Sequence, residues 1–287
     1  MNILITGGAG FIGTNLSKKL TEEGHNVTSI DNYYTGKKSN HIEGVKYINS
    51  DIRNDIPNLP IKPDIVFHLA AIARIQPSFT EPKEYFTTNC NGTLNIVHWC
   101  AENKIPLIYA GSSSKHSGRF KNPYTFSKDI GEDLVTLYQK HYGLSASIVR
   151  FYNVYGPYEL EDGGYPAVIG VWLKAFRENQ PLKIYGDGEQ RRDFTHVDDI
   201  VDALFKIQDL NAWGRVFELG RGINNSLNEV ASMIYPNNLF DNIEYHPQKP
   251  GEARTTLNTD LTAHKILGWK ASINLEDYIK SEVNQIS

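Results

Sequence analysis

Residues 2–31, NILITGGAGFIGTNLSKKLTEEGHNVTSID, decide the fold of this chain. The stretch opens with a short apolar strand, Asn2–Thr6, and runs directly into a glycine-rich turn. A helical pattern follows, whose apolar face carries Phe11, Ile12, Leu16 and Leu20. A second apolar strand, Asn26–Ile30, comes next. A strand, a helix and a second strand within about thirty residues indicate a βαβ unit with parallel strands.

Three glycines and one acid in this unit point to a ligand. Gly7 permits the tight turn, Gly10 lets the backbone approach a pyrophosphate, and Gly13 lets the helix pack closely on the strand. The helix N-terminus offers free N–H groups to phosphates. Asp31 follows at the distance where a carboxylate accepts the ribose hydroxyls of an adenosine. The pattern predicts a dinucleotide, NAD before NADP because Asp31 repels a 2′-phosphate, although the lysines at 37–38 leave NADP open.

The composition is that of an ordinary globular enzyme. The chain has 287 residues, a formal net charge of −4 and 40% apolar residues, and its pI is about 6.1. This charge favours neither nucleic acid nor an anionic membrane as a partner. Cys90 and Cys100 lie on one predicted helix and are interpreted as buried thiols, which fits a reducing cytosol. With no basic leader and no membrane-length apolar run, we expect a cytoplasmic protein.

Strands and helices alternate through the first half, which predicts a doubly wound parallel sheet, the Rossmann class of α/β fold. Further strands are expected at Val45–Asn49, Asp64–Leu69, Pro106–Gly111, Ser145–Phe151, Leu182–Tyr185 and Val216–Leu219. Helices are expected at Lys83–Glu102, Tyr124–Tyr142, Pro166–Glu178, Val197–Gln208, Ser226–Tyr235, Asp260–Leu267 and Leu275–Ile286. A turn-rich acidic stretch, Pro157–Tyr165, suggests a boundary. We predict a dinucleotide-binding domain at 1–157 and a smaller α/β substrate domain at 158–287, with segments near 192–220 returning to the main sheet.

A tyrosine and a lysine four residues apart form the second chemical signal. Tyr124 and Lys128 share one face at the start of a predicted helix. A lysine ammonium stabilises a tyrosinate and holds a ribose hydroxyl, so the tyrosine can act as a general base. Ser112–Ser114 follow a strand at the sheet edge where α/β proteins bind ligands. Each signal alone is weak, since a half-buried tyrosine and a polar serine turn are common.

In combination and in this chain order, these motifs resemble the extended short-chain dehydrogenase/reductase family of NAD-dependent nucleotide-sugar epimerases and dehydratases. The resemblance covers nearly the whole chain, and it also rests on Thr6–Gly13, His68–Ala71, Arg150–Pro157, Arg192–Phe194 and Pro250–Glu252. It implies NAD as cofactor and a UDP-sugar as substrate. The residues that it assigns to the cofactor are Gly7, Gly10, Phe11, Ile12, Gly13, Asp31, Asn32, Gly36, Asp51, Ile52, Leu69, Ala70, Ala71, Asn89, Tyr124 and Lys128.

The resemblance also assigns roles to individual residues. Asp51 and Ile52 resemble adenine contacts, and Asn89 resembles an asparagine behind the active site, although it can equally cap a turn. At the substrate end, Asn153 is similar to a residue beside the phosphates and Arg192 to the arginine that clamps the diphosphate. The alternative for Arg192 is an ion pair with Asp193 or Asp198. A second cation for the phosphates is expected from Lys249 or Arg254.

The residues directly after the serines favour one reaction within the family. Dehydratases place an Asp–Glu pair there and decarboxylating relatives a glutamate, whereas this chain has Lys115 and His116 and no acid before Asp129. We therefore expect a UDP-hexose 4-epimerase, acting on UDP-glucose and UDP-galactose or their N-acetylated forms. Ser113 is expected to hold the sugar O4 beside Tyr124, with Ser114 as the close alternative. A dehydratase or 4-reductase, and a noncatalytic NAD-binding sensor, remain as alternatives.

Two further expectations concern metals and partners. None of the nine histidines has the spacing of a metal site, so no metal is predicted. His116 is interpreted as a solvent-facing loop residue. An apolar stripe continues along the Tyr124 helix through Ile130, Leu134, Leu137 and His141. Burial against the sheet is one explanation; the resemblance instead implies that this helix and the one at Lys83–Glu102 pair with their copies in a homodimer.

Overall fold

The computed structural model describes residues 1–161, 167–236 and 242–286. Its strands are β1 Asn2–Thr6, β2 Asn26–Asp31, β3 Lys46–Asn49, β4 Ile65–His68, β5 Leu107–Ser112, β6 Ala146–Phe151, β7 Val154–Tyr155, β8 Leu182–Tyr185, β9 Arg191–Asp193, β10 Thr195–His196, β11 Val216–Leu219, β12 Asn224–Ser226 and β13 Ile243–His246. Its helices are α1 Phe11–Glu22, α2 Ile75–Thr80, α3 Pro82–Phe86, α4 Thr93–Asn103, α5 Pro123–Tyr142, α6 Val168–Arg177, α7 Val197–Asp209, α8 Leu227–Ile234, α9 Thr262–Leu267 and α10 Leu275–Ile286.

Seven parallel strands form the central sheet in the order β3-β2-β1-β4-β5-β6-β11. Alternate residues of each strand point to opposite faces, so Ile3 and Ile5 pack against α1, α7 and α9, whereas Leu4 packs on the side of α4 and α5. Because both faces are covered, the central strands are apolar along their whole length. The predicted doubly wound Rossmann fold is confirmed.

The second half of the chain contributes to two cores. Strand β11 pairs with β6, Val216 opposite Ile148, and helices α7 and α9 cover the same sheet. A separate apolar cluster joins α6, β8, α8 and α10 around Trp172. Three two-stranded sheets, β7-β10, β9-β12 and β8-β13, connect the lobes or border the smaller one.

Several predicted elements differ from those observed. The helix expected at Lys83–Glu102 is interrupted by a π-helical turn at Thr87–Gly92, and no helix was predicted at α2, which contains Pro77. Helix α6 begins at Val168, after Ala167 in an extended conformation. Pro166 and the end of the predicted turn-rich stretch lie outside the described residues. No helix in the described ranges has the length and apolar character needed to cross a membrane.

Candidate active site

A cavity of about 820 Å³ runs along the carboxyl edge of the sheet, from the glycine turn to the smaller lobe. Gly7, Gly10, Phe11, Ile12 and Gly13 line one end of it. Gly7 has φ +79°, and a Cβ on Gly13 would lie 2.1 Å from the Gly7 carbonyl oxygen. The turn therefore excludes side chains and leaves its backbone and the first turn of α1 open to the cavity, as a pyrophosphate requires.

Asp31 ends β2 at the rim of the same cavity. Its carboxylate accepts hydrogen bonds from the backbone N–H groups of Ala9, at 2.9 Å, and Tyr33, at 2.8 Å. Burial raises the pKa of Asp31, and these two bonds oppose the rise. Each carboxylate oxygen keeps a further lone pair for a ribose hydroxyl. The glycine turn and this acid fit the adenosine diphosphate half of a dinucleotide.

The expected adenine contacts divide into two groups. Ile52 and Asn32 line the cavity. Asp51 instead forms a two-pronged pair with Arg53, which lowers its pKa to about 2, and accepts a bond from Asn32 at 2.9 Å. Gly36 packs against Ala9 and Asp31 rather than lining the cavity. Asp51 and Gly36 thus do not face the cavity, and instead they contact the rim residues Asn32 and Asp31.

Leu69, Ala70 and Ala71 line the cavity floor, and Asn89 supports the loop that follows them. The Asn89 carboxamide accepts from the Ile72 N–H at 2.8 Å and donates to the Ile72 carbonyl at 3.0 Å. It also donates to the Ser127 hydroxyl at 3.0 Å. Asn89 is fully buried and does not line the cavity, so its contact with the ligand is indirect.

Tyr124 lies in the first turn of α5, where Pro123 and the cap from Asn122 start the helix. Its hydroxyl donates to the Ser112 Oγ at 3.2 Å, and Ser112 in turn donates to the Ser114 Oγ at 2.9 Å. Ser113 lines the cavity beside them. Ser112 belongs to the predicted serine run, but the predicted catalytic roles fell on Ser113 and Ser114. The sequence offers three equivalent serines, and the strand register decides which one meets Tyr124.

Burial is the main cause of the pKa shifts of both Tyr124 and Lys128. Burial raises the pKa of Tyr124, while the Ser112 hydrogen bond and the charge of Arg74 lower it. Burial also lowers the pKa of Lys128 to about 8, against the opposing effect of Glu132. Lys128 lies one turn after Tyr124 and lines the same cavity. The phenol of Tyr124 and the amine of Lys128 therefore face the same cavity as the glycine turn.

Lys115 and His116, which replace the usual acids, do not line the cavity. Lys115 pairs with Asp129 and, at 3.0 Å, with Glu132. Arg150 forms a two-pronged pair with Glu132, at 2.6 and 2.9 Å. His116, half exposed as predicted for a loop residue, lies 2.9 Å from a Glu218 oxygen that also accepts from Arg150. The acids that follow the serines in the chain, Asp129 and Glu132, are thus both held in ion pairs.

At the far end, the structure separates the two candidate cations. Lys249 lines the cavity, with its Nζ 3.5 Å from the ring centroid of Tyr185. Arg254 forms an exposed two-pronged pair with Asp187, at 2.7 and 2.9 Å, and does not line the cavity. Tyr185 is a further cavity residue that was not predicted. Its only sequence signal was its position at the end of a strand.

Arg192 and Asn153 face the same end. Arg192 lines the cavity and lies 3.5 Å from Glu252, so its partner is neither of the two aspartates considered from the sequence. The Asn153 carboxamide donates to the Asp193 carbonyl at 3.1 Å and to the Thr256 hydroxyl at 2.9 Å. Arg192 and Lys249 therefore form a cationic end suited to a diphosphate, whereas both amide N–H groups of Asn153, also predicted for the phosphates, are used within the protein.

Comparison with known proteins matches residues 3–220 to the model of the NAD dependent epimerase/dehydratase family. The chain is 34% identical to the UDP-N-acetyl-alpha-D-glucosaminuronate decarboxylase of Bacillus cytotoxicus over 81% of its length and 78% of that protein. It is 29% identical to the UDP-glucose 4-epimerase of Mycolicibacterium smegmatis, covering 99% and 97%. The crystal structure of UDP-glucuronic acid 4-epimerase from Bacillus cereus, with UDP-glucuronic acid and NAD, superposes with a TM-score of 0.88 at 27% identity, covering 100% and 99%.

Proposed function

The chain belongs to the NAD dependent epimerase/dehydratase family, and we propose that it is a UDP-hexose 4-epimerase. The observation that carries the proposal is the grouping of Tyr124, Lys128 and the serine run at one cavity wall, with the neighbouring acids held in ion pairs. A 4-epimerase needs one group that moves the O4 proton, whereas elimination of water also needs a positioned acid and base.

The cofactor is NAD, and the residues present fit it. The glycine turn and the start of α1 would hold its pyrophosphate, Asp31 its adenosine ribose, and Lys128 its second ribose. When bound, NAD would accept a hydride from C4 of the sugar and return the same hydride, with no net redox change.

The proposed proton transfer uses Tyr124 and the serines. The Tyr124 phenolate takes the proton from the O4 hydroxyl as the C4 carbonyl forms, and it returns the proton when the carbonyl is reduced on its other face. Ser113 holds O4, and Ser112 orients the phenol through the 3.2 Å hydrogen bond. The Lys128 ammonium favours the phenolate form of Tyr124 by its charge.

Inversion at C4 requires the 4-keto sugar to turn over while its other end stays bound. We assign that anchor to Arg192 and Lys249; Asn153, whose two amide N–H groups are donated to Asp193 and Thr256, would hold the neighbouring backbone in place. Arg192 is half of a weak 3.5 Å contact with Glu252 and can exchange this partner for a phosphate oxygen. The Lys249 ammonium is available to the diphosphate from its position over Tyr185. A permanently charged planar guanidinium suits this role.

A second candidate function is decarboxylation of a UDP-uronate. It is favoured by the similarity to the Bacillus cytotoxicus decarboxylase. Oxidation at C4 would be the first step in both reactions, so Tyr124, Lys128 and the serines would serve either. The two differ in the sugar: loss of CO2 requires a carboxylate at C5.

Incubation of the purified protein with UDP-glucose, UDP-galactose, their N-acetylated forms and UDP-glucuronate tests these functions. We expect interconversion of C4 epimers without added NAD, resolved by chromatography and mass spectrometry. Tyr124→Phe should lower kcat about 10²–10⁴-fold, whereas Tyr142→Phe, an exposed tyrosine on the same helix, should not. Release of CO2 would favour the decarboxylase, and loss of water the dehydratase. Bound NAD with no turnover of any substrate would favour the noncatalytic sensor.

We also propose the domain division at 1–157 and 158–287, and a homodimer formed through α4 and α5. Both helices carry apolar side chains on their outer face, among them Leu94 and Leu137. Contiguous exposed apolar surface is a common mark of a protein interface.

A further inference from the structure

Tyr109 is a buried aromatic residue of β5 with no part in the mechanism above. It lies beneath the first turns of α5 and is completely shielded from solvent. The Nζ of Lys128 lies over the face of its ring, 4.6 Å from the centroid. A cation within about 6 Å of an aromatic face is attracted by the negative charge of the π system. The contact therefore favours the charged form of Lys128.

Two features hold the ring at this position. The Tyr109 hydroxyl donates to the backbone carbonyl oxygen of Lys128 at 3.3 Å, so Tyr109 contacts both the backbone and the side chain of Lys128. Residue 131, inside α5, is a glycine, and a Cβ there would lie 2.0 Å from the Tyr109 hydroxyl oxygen. Glycine destabilises a helix interior. Its presence at this point is explained by the space that the tyrosine needs to reach Lys128.

Four other titratable side chains lie around Lys128, those of His68, Cys90, Glu132 and Tyr124. His68 on β4 stays neutral because burial lowers its pKa to about 3. Burial raises the pKa of Cys90, on the π-helical turn, to about 11, so it is neutral as well. Glu132 on α5 favours the ammonium, but its carboxylate is already bonded to Arg150 and Lys115. Burial raises the pKa of Tyr124, and the phenolate that the proposed mechanism requires would favour the ammonium as well.

We propose that Tyr109 is a positioning residue for Lys128: its ring face holds the ammonium at the cavity wall and keeps it protonated. The catalytic significance of this contact rests on the proposed function. The contact itself is a property of the folded protein, and it can be measured without any sugar substrate.

Graded fluorination of the ring tests the proposal. Phenylalanine and its mono-, di- and trifluoro forms are placed at position 109 in NAD-saturated protein. The Lys128 amine is titrated by NMR with isotope-labelled lysine, and its signal is assigned with Lys128→Arg. Fluorine withdraws charge from the ring face with little change of shape, so the pKa of Lys128 should fall stepwise, by about one pH unit over the series. The alkaline fall of kcat should move to lower pH in parallel.

The matched control is Phe67, a fully buried ring on the adjacent strand that packs on the opposite face of the sheet. The same fluorinated series there should leave the Lys128 titration unchanged. A constant Lys128 titration across the Tyr109 series would overturn the proposal, whether or not the protein turns over a UDP-sugar. Should Tyr109→Phe fail to fold, fluorotyrosine at the same position weakens the same ring and keeps the hydroxyl. Absence of turnover with a shifted titration would overturn the proposed function alone.

Discussion

Lys128 sets the alkaline limit of the proposed reaction. Burial lowers its pKa to about 8, so the ammonium is present below this pH and is lost as the pH rises through it. We therefore expect kcat to fall above about pH 8, because a neutral amine no longer favours the Tyr124 phenolate. In Lys128→Arg the guanidinium stays charged, so the fall should move to higher pH in a kcat–pH profile. An alkaline limb at the same pH in both proteins would assign it to another group.

Asp31 is predicted to determine the choice between dinucleotides. Asp31→Asn keeps the shape but removes the charge, so the NAD Kd should rise about 10–100-fold, the range for a hydrogen bond to a charged group. Affinity for NADP should rise relative to NAD because the repulsion of its 2′-phosphate is lost. Calorimetric titration of both dinucleotides measures this, with the exposed Asp55→Asn as the control. An unchanged NAD-to-NADP ratio would remove Asp31 from the ribose site.

At the residue scale, the sequence identified groups whose chemistry depends on short spacings. The glycines and Asp31 fall within the first βαβ unit, and Tyr124 and Lys128 lie one helical turn apart. It did not distinguish Lys249 from Arg254, because the side chain of Asp187, far away in the chain, decides which of the two faces the cavity. Long-range partners of this kind leave no local signal.

At the scale of elements, α5 is held to the sheet by buried charge. Glu132 joins Lys115 and Arg150, and it is almost fully buried. Glu132→Gln leaves two cations with weakened partners, so the free energy of unfolding should fall by about 3–5 kcal/mol, as for other broken buried pairs. Asp133→Asn, next in the chain but exposed and bonded to Arg119, should cost less than about 1 kcal/mol. Urea unfolding compares them; equal losses would contradict a structural role for the buried network.

The helix that supports Asn89 shows why some element boundaries could not be predicted. The apolar pattern across Lys83–Glu102 fits one continuous helix, yet Thr87–Gly92 forms a π-helical turn. Such a turn adds one residue without changing which residues are apolar, so periodicity does not reveal it. The turn directs Asn89 toward the loop at Ile72, and tertiary hydrogen bonds hold it there.

At the scale of the whole molecule, alternation and apolar strands were enough to predict the parallel sheet. The order of the strands could not be predicted in this way, because it depends on the edge of the sheet at which each connecting segment places the next strand. The same holds for the pairing of β11 with β6. The return of β11 to the main sheet had a local signal in Val216–Leu219, an apolar strand in the otherwise helical second half. The small paired strands of the second lobe had none, because β7, β9, β10 and β12 have two or three residues each.

The proposed homodimer belongs to this scale and can be tested through its outer face. Helices α4 and α5 pack on each other, and their outer side exposes Leu94 by 38% and Leu137 by 47%. A stable dimer buries about 800 Å² on each partner, and two glutamates in its apolar centre would be desolvated without partners. Leu94→Glu/Leu137→Glu should therefore sediment as a monomer, whereas the wild type and Leu210→Glu, an exposed leucine outside this face, should sediment as dimers. If the wild type is a monomer at micromolar concentration, or if the double variant still dimerises, the helices are not the interface. If the monomer retains NAD and turnover, each subunit contains a complete site.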